Sequence, residues 1–282
     1  MRCVAALLMV AAAVFASCST DPSSTESSST AGSAPTSTGT DTQVEFEEGL
    51  VSRLVVPDRE AGEIVPLIVL VPGGGWATAD PTGLLPLAED LGALGAAVSL
   101  TTYRAGDAGV YFPDQPSDVA CAISASATAV RDAGFDVGEV AVVGHSSGAH
   151  LASLVALLPD TFSANCRHPT VAPDRFVGLA GPYDVVRASR FANSLFGPDN
   201  TDPAAWAAGN PMVHAHERPE LQVLLIHGQA DATVPMVFTE TFATALEDGG
   251  HSLTVLRPEG VDHHSIYSPE IGAPLIAEWL NL

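Results

Sequence analysis

One stretch of the sequence decides the expected fold, Gly144-His145-Ser146-Ser147-Gly148, and it lies between two apolar segments. Residues 140–143 before it are typical of a buried strand, and residues 149–156 after it are typical of a helix. Glycines stand two residues before and two residues after Ser146, where a tight turn brings the strand and helix backbones too close for β-carbons. The stretch therefore predicts a sharp strand-to-helix turn that presents the Ser146 hydroxyl at the edge of a sheet, beside backbone N–H groups.

On both sides of this turn, segments that predict strands alternate with segments that predict helices. Strands are predicted at residues 50–56, 65–71, 96–101, 139–144, 175–181, 222–227 and 253–256. Further helices are predicted at 84–94, 117–133 and 269–282, with another beginning at Pro235. This alternation predicts an α/β fold class, with a mostly parallel central sheet flanked by helices on both faces of a single domain. In such sheets the functional site lies beyond the carboxyl ends of the strands.

The composition excludes several classes of function. The 282 residues are 46% hydrophobic, which is enough for one sizeable core. The formal net charge of −22 would repel nucleic-acid phosphates and anionic membrane surfaces, so we expect neither as a partner. All 11 basic residues are arginine, and the absence of lysine from the sequence excludes phosphate loops and Schiff-base chemistry that require this residue.

The first 18 residues have the features of an export signal. Met1-Arg2 is followed by an apolar run from Val4 to Ala16, which is too short to span a membrane as a mature helix. Phe15-Ala16-Ser17-Cys18 resembles the lipobox of bacterial lipoproteins, in which the cysteine is lipidated. We expect export to the cell envelope with Cys18 as the lipid anchor at the outer face of the membrane. Because Phe15 is not aliphatic, ordinary secretion after cleavage at Ala16 is the alternative.

Residues 19–43 are predicted to form a disordered Ser/Thr-rich linker, because they contain too few apolar side chains to offset the entropy of ordering. Residues 44–282 are then expected to form the single folded domain, the one that contains Ser146. Within that domain Cys121 and Cys166 are the only cysteines. In an oxidising compartment we expect a disulfide between them, and two separately buried thiols are the alternative.

A nucleophilic serine needs a histidine as its base and a carboxylate that orients this histidine. Among nine histidines, His263 lies in a loop between the last predicted strand and the last predicted helix, where such a base is usually found. His264 is its rival, and only one of two adjacent loop residues should face Ser146. Three other histidines lie too near the turn or inside a strand end to serve as the base, His145, His150 and His227. A metal site at His263 and His264, or at His214 and His216, is not favoured, because no cysteine or carboxylate cluster accompanies either pair at ligand spacing.

The candidate carboxylate is Asp231, which follows the predicted strand at 222–227 and precedes a predicted helix. Asp184 and Asp262 are rivals, and a local turn role is the alternative explanation for an Asp in such a position. Ser146, Asp231 and His263 follow one another in the nucleophile, acid, base order of one large enzyme superfamily. That order favours Asp231.

With these motifs the chain resembles the α/β-hydrolase superfamily, from Val65 to the C-terminus. The nearest resemblance is to carboxylesterases related to hormone-sensitive lipase, kynurenine formamidase and the bacterial feruloyl-esterase-like proteins. Their His-Gly-Gly-Gly-Trp motif matches Gly73-Gly74-Gly75-Trp76, with Pro72 in place of the histidine. Further motifs match in the same order, at Gly181-Pro182-Tyr183-Asp184, Asn210-Pro211, His227-Gly228 through Asp231 to Val234-Pro235, and Asp262-His263. The last match favours His263 over His264.

The resemblance implies a serine hydrolase that cleaves small or medium carboxylic esters through Ser146, His263 and Asp231. Backbone N–H groups of Ser147, Gly74 and Gly75 would form the oxyanion hole. It implies a small-molecule ester as the partner, no cofactor and no metal, and it says nothing about oligomeric state. An amide hydrolase and a non-catalytic binding protein on the same scaffold are the alternatives. Residues 182–219 are expected to form either a short cap over the site or a surface segment that only packs on the sheet.

Overall fold

The apolar runs of the sequence become the strands of one eight-stranded sheet. In the computed structural model, which describes residues 39–282, the strands are β1 Thr40–Glu47, β2 Leu50–Val56, β3 Ile64–Val71, β4 Ala97–Leu100, β5 Asp136–His145, β6 Arg175–Leu179, β7 Gln222–Ile226 and β8 Ser252–Leu256. Their order in the sheet is β1-β2-β4-β3-β5-β6-β7-β8. β2 pairs antiparallel with β1 and β4, whereas the pairs from β4 through β8 are parallel. The predicted fold class is confirmed.

The helices are α1 Leu85–Ala93, α2 Asp114–Asp132, α3 Ser147–Leu157, α4 Pro159–Ser163, α5 Asn193–Phe196, α6 Pro203–Ala208, α7 Val237–Asp248 and α8 Gly272–Leu280. α1 and α8 pack on one face of the sheet. α2, α3 and α7 pack on the other face. Both faces of the central strands are therefore buried, which explains why their sequences are apolar almost without interruption.

Strand and helix ends differ from the predicted ones where the backbone changes direction. β6 ends at Leu179, two residues earlier than expected, because Ala180 has a φ of +51° and leaves the extended conformation. α2 begins three residues earlier than expected, with Asp114 in its first turn, where a carboxylate is favoured by the helix dipole. The final helix begins at Gly272, three residues later than expected, after a short 3-10 turn at Ser265–Tyr267.

Strand β1 is not predicted by the sequence. It begins at Thr40, so its first residues fall inside the segment expected to be linker, and most of its side chains are polar and exposed. Its backbone pairs with β2 along its whole length, and this pairing requires no apolar pattern on an edge strand. Phe46 near its end is fully buried against α2. The export signal at 1–18, including Cys18, and linker residues 19–38 lie outside the described residues.

Cys121 of α2 and Cys166, in the loop after α4, are joined by a disulfide, with their Cα atoms 5.0 Å apart. The bond closes a loop across 45 positions of the sequence and lies beside Phe46. It therefore ties α2 to the loop after α4 close to the edge strand β1.

Candidate active site

The turn from β5 to α3 has the strained geometry that its sequence predicts. Ser146 has a φ of +52° and a ψ of −124°, a conformation rarely adopted by a residue with a side chain. A β-carbon on Gly148 would collide with the carbonyl oxygen of Pro72, and one on Gly144 would lie 2.5 Å from the Cα of Ala149. Gly144 thus allows β5 and α3 to pass at close range, and Gly148 allows α3 to approach the end of β3, with Ser146 at the tip of the turn.

The three predicted side chains meet at the carboxyl edge of the sheet. His263 Nε2 lies 3.0 Å from Ser146 Oγ, and His263 Nδ1 lies 2.7 Å from Asp231 Oδ2. The Asp231 side chain is 1% exposed and that of His263 is 6% exposed. Asp231 follows β7 and His263 follows β8, so each side chain is delivered by a separate strand end.

Asp231 uses its two carboxylate oxygens for different purposes. Oδ1 accepts the backbone N–H groups of Thr233 and Val234 at 2.8 and 2.9 Å, while Oδ2 faces His263. Burial raises the pKa of Asp231, but the hydrogen bonds from His263, Val234 and Thr233 outweigh this effect and leave the pKa below its ordinary value. Asp231 is therefore an anion that fixes both the turn and the orientation of the imidazole.

The rival residues have local roles. Asp184 Oδ1 accepts the N–H groups of Val186 and Arg187, and Asp262 Oδ1 accepts those of His264 and Ser265. His264 is exposed, and its ring centre is 5.4 Å from that of His263. Neither carboxylate is hydrogen-bonded to a histidine ring within residues 39–282.

The glycine loop, residues 73–76, runs beside Ser146. A β-carbon on Gly73 would lie 3.0 Å from the β-carbon of Ser146, so the backbones approach closely here. Gly74 and Gly75 have φ values of +140° and +62°, which favour glycine. Gly75 and Ser147 both line the cavity in front of Ser146. Gly74 lies in a tight turn, where its carbonyl accepts the N–H groups of Ala77 and Thr78.

Pro72 stands where the His-Gly-Gly-Gly-Trp motif has histidine, and the glycine loop is held by hydrogen bonds to Trp76. Trp76 Nε1 donates a hydrogen bond to His150 Nδ1 at 3.1 Å, and His150 Nε2 donates to the Gly209 carbonyl at 2.9 Å. Burial lowers the pKa of His150 to about 4, so its ring is neutral and can accept from the indole. The carbonyl of Trp76 in turn accepts from Gln115 Nε2 at 3.2 Å.

His145 supports the loop that carries His263. Its Nε2 donates to the main-chain carbonyl of His263 at 2.8 Å, and its ring packs edge-on against Tyr267. Burial, together with the nearby His263, lowers the pKa of His145 to about 3. Sequence reasoning missed the roles of His145 and His150. The available signal was that each is a polar residue in an otherwise buried segment, and such residues require a partner.

A cavity of about 840 Å³ opens in front of Ser146 and His263. Residues 182–219 supply much of one wall, including Pro182, Ala188 and Phe191. The same segment also packs on the core through Leu195 and Phe196. A role as a cap that moves over the site remains a prediction.

Residues 54–246 match the BD-FAE family. The chain belongs to this family. It is 30% identical over 231 residues to esterase LipQ of Mycobacterium tuberculosis, a match that covers 74% of this chain and 52% of LipQ. It is 26% identical over 204 residues to the probable carboxylic ester hydrolase LipM of the same organism, covering 67% of this chain and 47% of LipM. The BD-FAE chain thus spans about half the length of these relatives.

Solved structures of esterases share the fold of this BD-FAE chain. A truncated carbohydrate esterase from gut microbiota superposes with a TM-score of 0.72 at 18% identity, covering 88% of this chain and 98% of that one. Esterase 2 of Thermogutta terrifontis, phosphoramylated by tabun, gives a TM-score of 0.70 at 22% identity, covering 88% and 96%. The fold is that of the α/β-hydrolases.

Two further features concern metals and membranes. Within residues 39–282, no cluster of three or more His, Cys, Asp or Glu side chains could hold a metal ion. In the same range, no helix has the length and apolar character needed to cross a membrane.

Proposed function

We propose that this chain is a serine carboxylesterase that cleaves small to medium acyl or aryl esters through Ser146, His263 and Asp231. The main support is that Ser146 Oγ is hydrogen-bonded to His263, which is hydrogen-bonded in turn to the Asp231 carboxylate. Ser146 and His263 also line a cavity that is large enough for such an ester. Membership in the BD-FAE family and the esterase names of its relatives support the same activity.

In the first half of the reaction Ser146 Oγ attacks the ester carbonyl carbon while His263 Nε2 accepts the hydroxyl proton. The ionised Asp231 stabilises the imidazolium that forms and keeps Nδ1 protonated. The tetrahedral intermediate then breaks its bond to the alcohol oxygen, which leaves with the proton from His263. The products of this half are an alcohol and an acyl group on Ser146.

In the second half a water molecule attacks the acyl carbonyl, and His263 accepts its proton. Collapse of this intermediate returns the proton to Ser146 Oγ and releases the carboxylic acid. In both halves the negative oxygen needs donors already in place. We propose the N–H groups of Ser147 and Gly75, which line the cavity, together with that of Gly74.

The test is labelling with a fluorescent alkyl phosphonate, followed by assays on 4-nitrophenyl esters of increasing acyl length. We expect the folded protein to be labelled and to hydrolyse the esters, and Ser146→Ala to abolish both. Ser252→Ala, which changes an exposed serine at the amino end of β8 and away from the cavity, is the matched control and should behave like the unchanged protein. A folded protein that takes no label at Ser146 would contradict the proposal. Faster cleavage of aryl amides than of matched esters would favour the amide hydrolase instead.

For the N-terminal segment we propose export and lipidation at Cys18, on the basis of its lipobox-like sequence. Expression of the full chain in a bacterial host, followed by fractionation, tests this. The unchanged protein should be found with membranes and Cys18→Ala in the soluble exported fraction. Identical fractionation of the two proteins would rule out the anchor.

A further inference from the structure

The cavity in front of Ser146 differs in charge from the rest of the chain. The protein has three times as many acidic as basic residues, 33 against 11. Yet the residues that line this cavity include two arginines, Arg187 and Arg190, and no aspartate or glutamate. Asp231 lies behind His263 and is almost fully buried. The mouth of the cavity is therefore a basic region on an acidic protein.

The two arginines differ in how far their charge is already compensated. Arg187 Nε lies 3.7 Å from Asp184 Oδ2, so a carboxylate of the same turn offsets part of its charge. Arg190 is exposed and makes no ion pair or side-chain hydrogen bond with the described residues. Its guanidinium, which presents several N–H donors in one plane, is free to bind a carboxylate.

An apolar surface adjoins this charge. Phe191 follows Arg190 directly and is 72% exposed, which is unusual for a ring of this size. Val237 and Phe238, on the first turn of α7, also line the cavity. An ester that fits this lining has an apolar body next to the scissile bond and an anionic group towards the mouth.

A general attraction for anions cannot come from the whole protein, because a chain of net charge −22 repels them at long range. A local pair of guanidinium groups can still hold an anion once it has entered, since the interaction acts over a few ångströms. The two charges would then select among esters that reach the same serine.

We propose that the cavity is specific for esters that carry a carboxylate, with Arg190 as the main binding group and Arg187 as a weaker second. This inference rests on the proposed esterase function and names its substrate class. In this view residues 187–191 bind the charged end of the substrate while Ser146 attacks its carbonyl.

Two matched substrate pairs test the inference. In the first pair the carboxylate is on the acyl side, and the anionic 4-nitrophenyl hydrogen adipate is compared with the neutral 4-nitrophenyl hexanoate. In the second pair the carboxylate is on the alcohol side, and the anionic butanoyl ester of 4-hydroxybenzoate is compared with the neutral butanoyl ester of methyl 4-hydroxybenzoate. The measured quantity is the ratio of kcat/KM for the anionic ester to that for the neutral ester, after subtraction of the rate with Ser146→Ala.

We expect Arg190→Gln to lower this ratio about fivefold for at least one pair, the factor that corresponds to about 1 kcal/mol for an exposed ion pair. Arg187→Gln should lower it less, and Arg190→Glu should lower it further than Arg190→Gln. Arg131→Gln is the matched control for net charge, because Arg131 is exposed near the end of α2, before the amino end of β5 and away from the cavity. It should leave the ratio unchanged.

The effect should also weaken when salt is raised from low to 0.5 M, because exposed charges are screened. A ratio that is the same in the unchanged protein, Arg190→Gln and Arg131→Gln for both pairs would overturn the substrate class while leaving the esterase proposal intact. If no ester of either pair is cleaved by the folded protein, the esterase proposal itself fails. The two failures are therefore distinguishable.

Discussion

The indole Nε1 of Trp76 donates a hydrogen bond to Nδ1 of His150, which lies one helical turn after Ser146 on α3. The bond joins the last residue of the glycine loop to the helix that begins at the nucleophile. Because His150 is itself held by the Gly209 carbonyl, its ring cannot rotate without losing two hydrogen bonds. Trp76 and His150 thus fix the distance between the glycine loop and the turn at Ser146.

Loss of this bond should reduce catalysis more than folding. Trp76→Phe keeps an aromatic ring and removes the indole donor, so we expect kcat to fall roughly 10- to 100-fold as the loop donors lose their alignment. His150→Asn should have a similar effect, and the double variant should be no worse than either single one. Steady-state kinetics on a 4-nitrophenyl ester measures all three.

Trp206→Phe is the matched control, because Trp206 Nε1 also donates one hydrogen bond, to the Asn200 carbonyl, away from the glycine loop. Its kcat should stay within about twofold of the unchanged value. Additive effects of Trp76→Phe and His150→Asn would show that the two residues act independently.

Asp231→Asn should lower kcat by about 10⁴-fold with the fold intact, the loss expected when the base is held in the wrong tautomer. The backbone N–H groups of Thr233 and Val234 require an oxygen, so the amide would turn its NH₂ group towards His263. The ring would then carry its proton on Nε2 and could not accept one from Ser146. Asp262→Asn, at an exposed turn carboxylate, should keep nearly full activity, and equal losses in the two variants would contradict this assignment.

The adjacent histidines should differ sharply in their effect on turnover. His263→Gln removes the group 3.0 Å from Ser146 Oγ, so we expect a loss of at least 10³-fold in kcat. His264→Gln changes an exposed side chain at the rim of the cavity and should alter kcat less than about threefold. The comparison uses kcat at saturating ester and circular dichroism to verify folding. Comparable losses would mean that His264 takes part in proton transfer.

The protein should lose stability as the pH is lowered, at pH values where most of its carboxylates are still ionised. His150 and His145 are buried as neutral rings with pKa values of about 4 and about 3, whereas an unfolded histidine has a pKa of about 6.5. Between these values the unfolded chain binds more protons, so the free energy of unfolding falls as the pH falls, by about 1 kcal/mol per pH unit for each ring. Urea unfolding at pH 7 and pH 5 measures this fall.

His150→Asn should make that pH dependence less steep, because one of the buried rings no longer titrates. His216→Asn, which changes a largely exposed histidine, is the control and should leave the slope as it was. A slope that is unchanged in His150→Asn would show that this ring is not buried in its neutral form.

The disulfide should matter for stability and little for chemistry. For a loop of 45 positions, the loss of the Cys121–Cys166 bond should lower the free energy of unfolding by about 2 to 4 kcal/mol. The measurement is urea unfolding of Cys121→Ser/Cys166→Ser against the unchanged protein. At 25 °C the kcat of the folded variant should be unchanged, since neither cysteine lines the cavity. A loss of kcat without a loss of stability would contradict this expectation.

The sequence by itself determined the features that depend on neighbouring residues. The glycine at position 144 is required by steric contacts with the residues of the same turn, and the apolar runs that became β3, β5, β6 and β7 are required by burial on both faces. The order of the candidate residues along the chain placed Asp231 and His263 each after a strand. Because parallel strands bring their carboxyl ends to one edge, the meeting of these residues was predictable.

Only the tertiary structure decided contacts between residues that no local pattern relates. Trp76 and His150 are 74 positions apart, and His145 and His263 are 118 positions apart, so their hydrogen bonds depend on how loops from different strands approach each other. The same holds for Arg187 and Arg190, whose place on the cavity wall follows from the packing of residues 182–219. Polar β1 is a strand only because β2 offers it a free edge, since backbone hydrogen bonds depend on a partner and not on side-chain hydropathy.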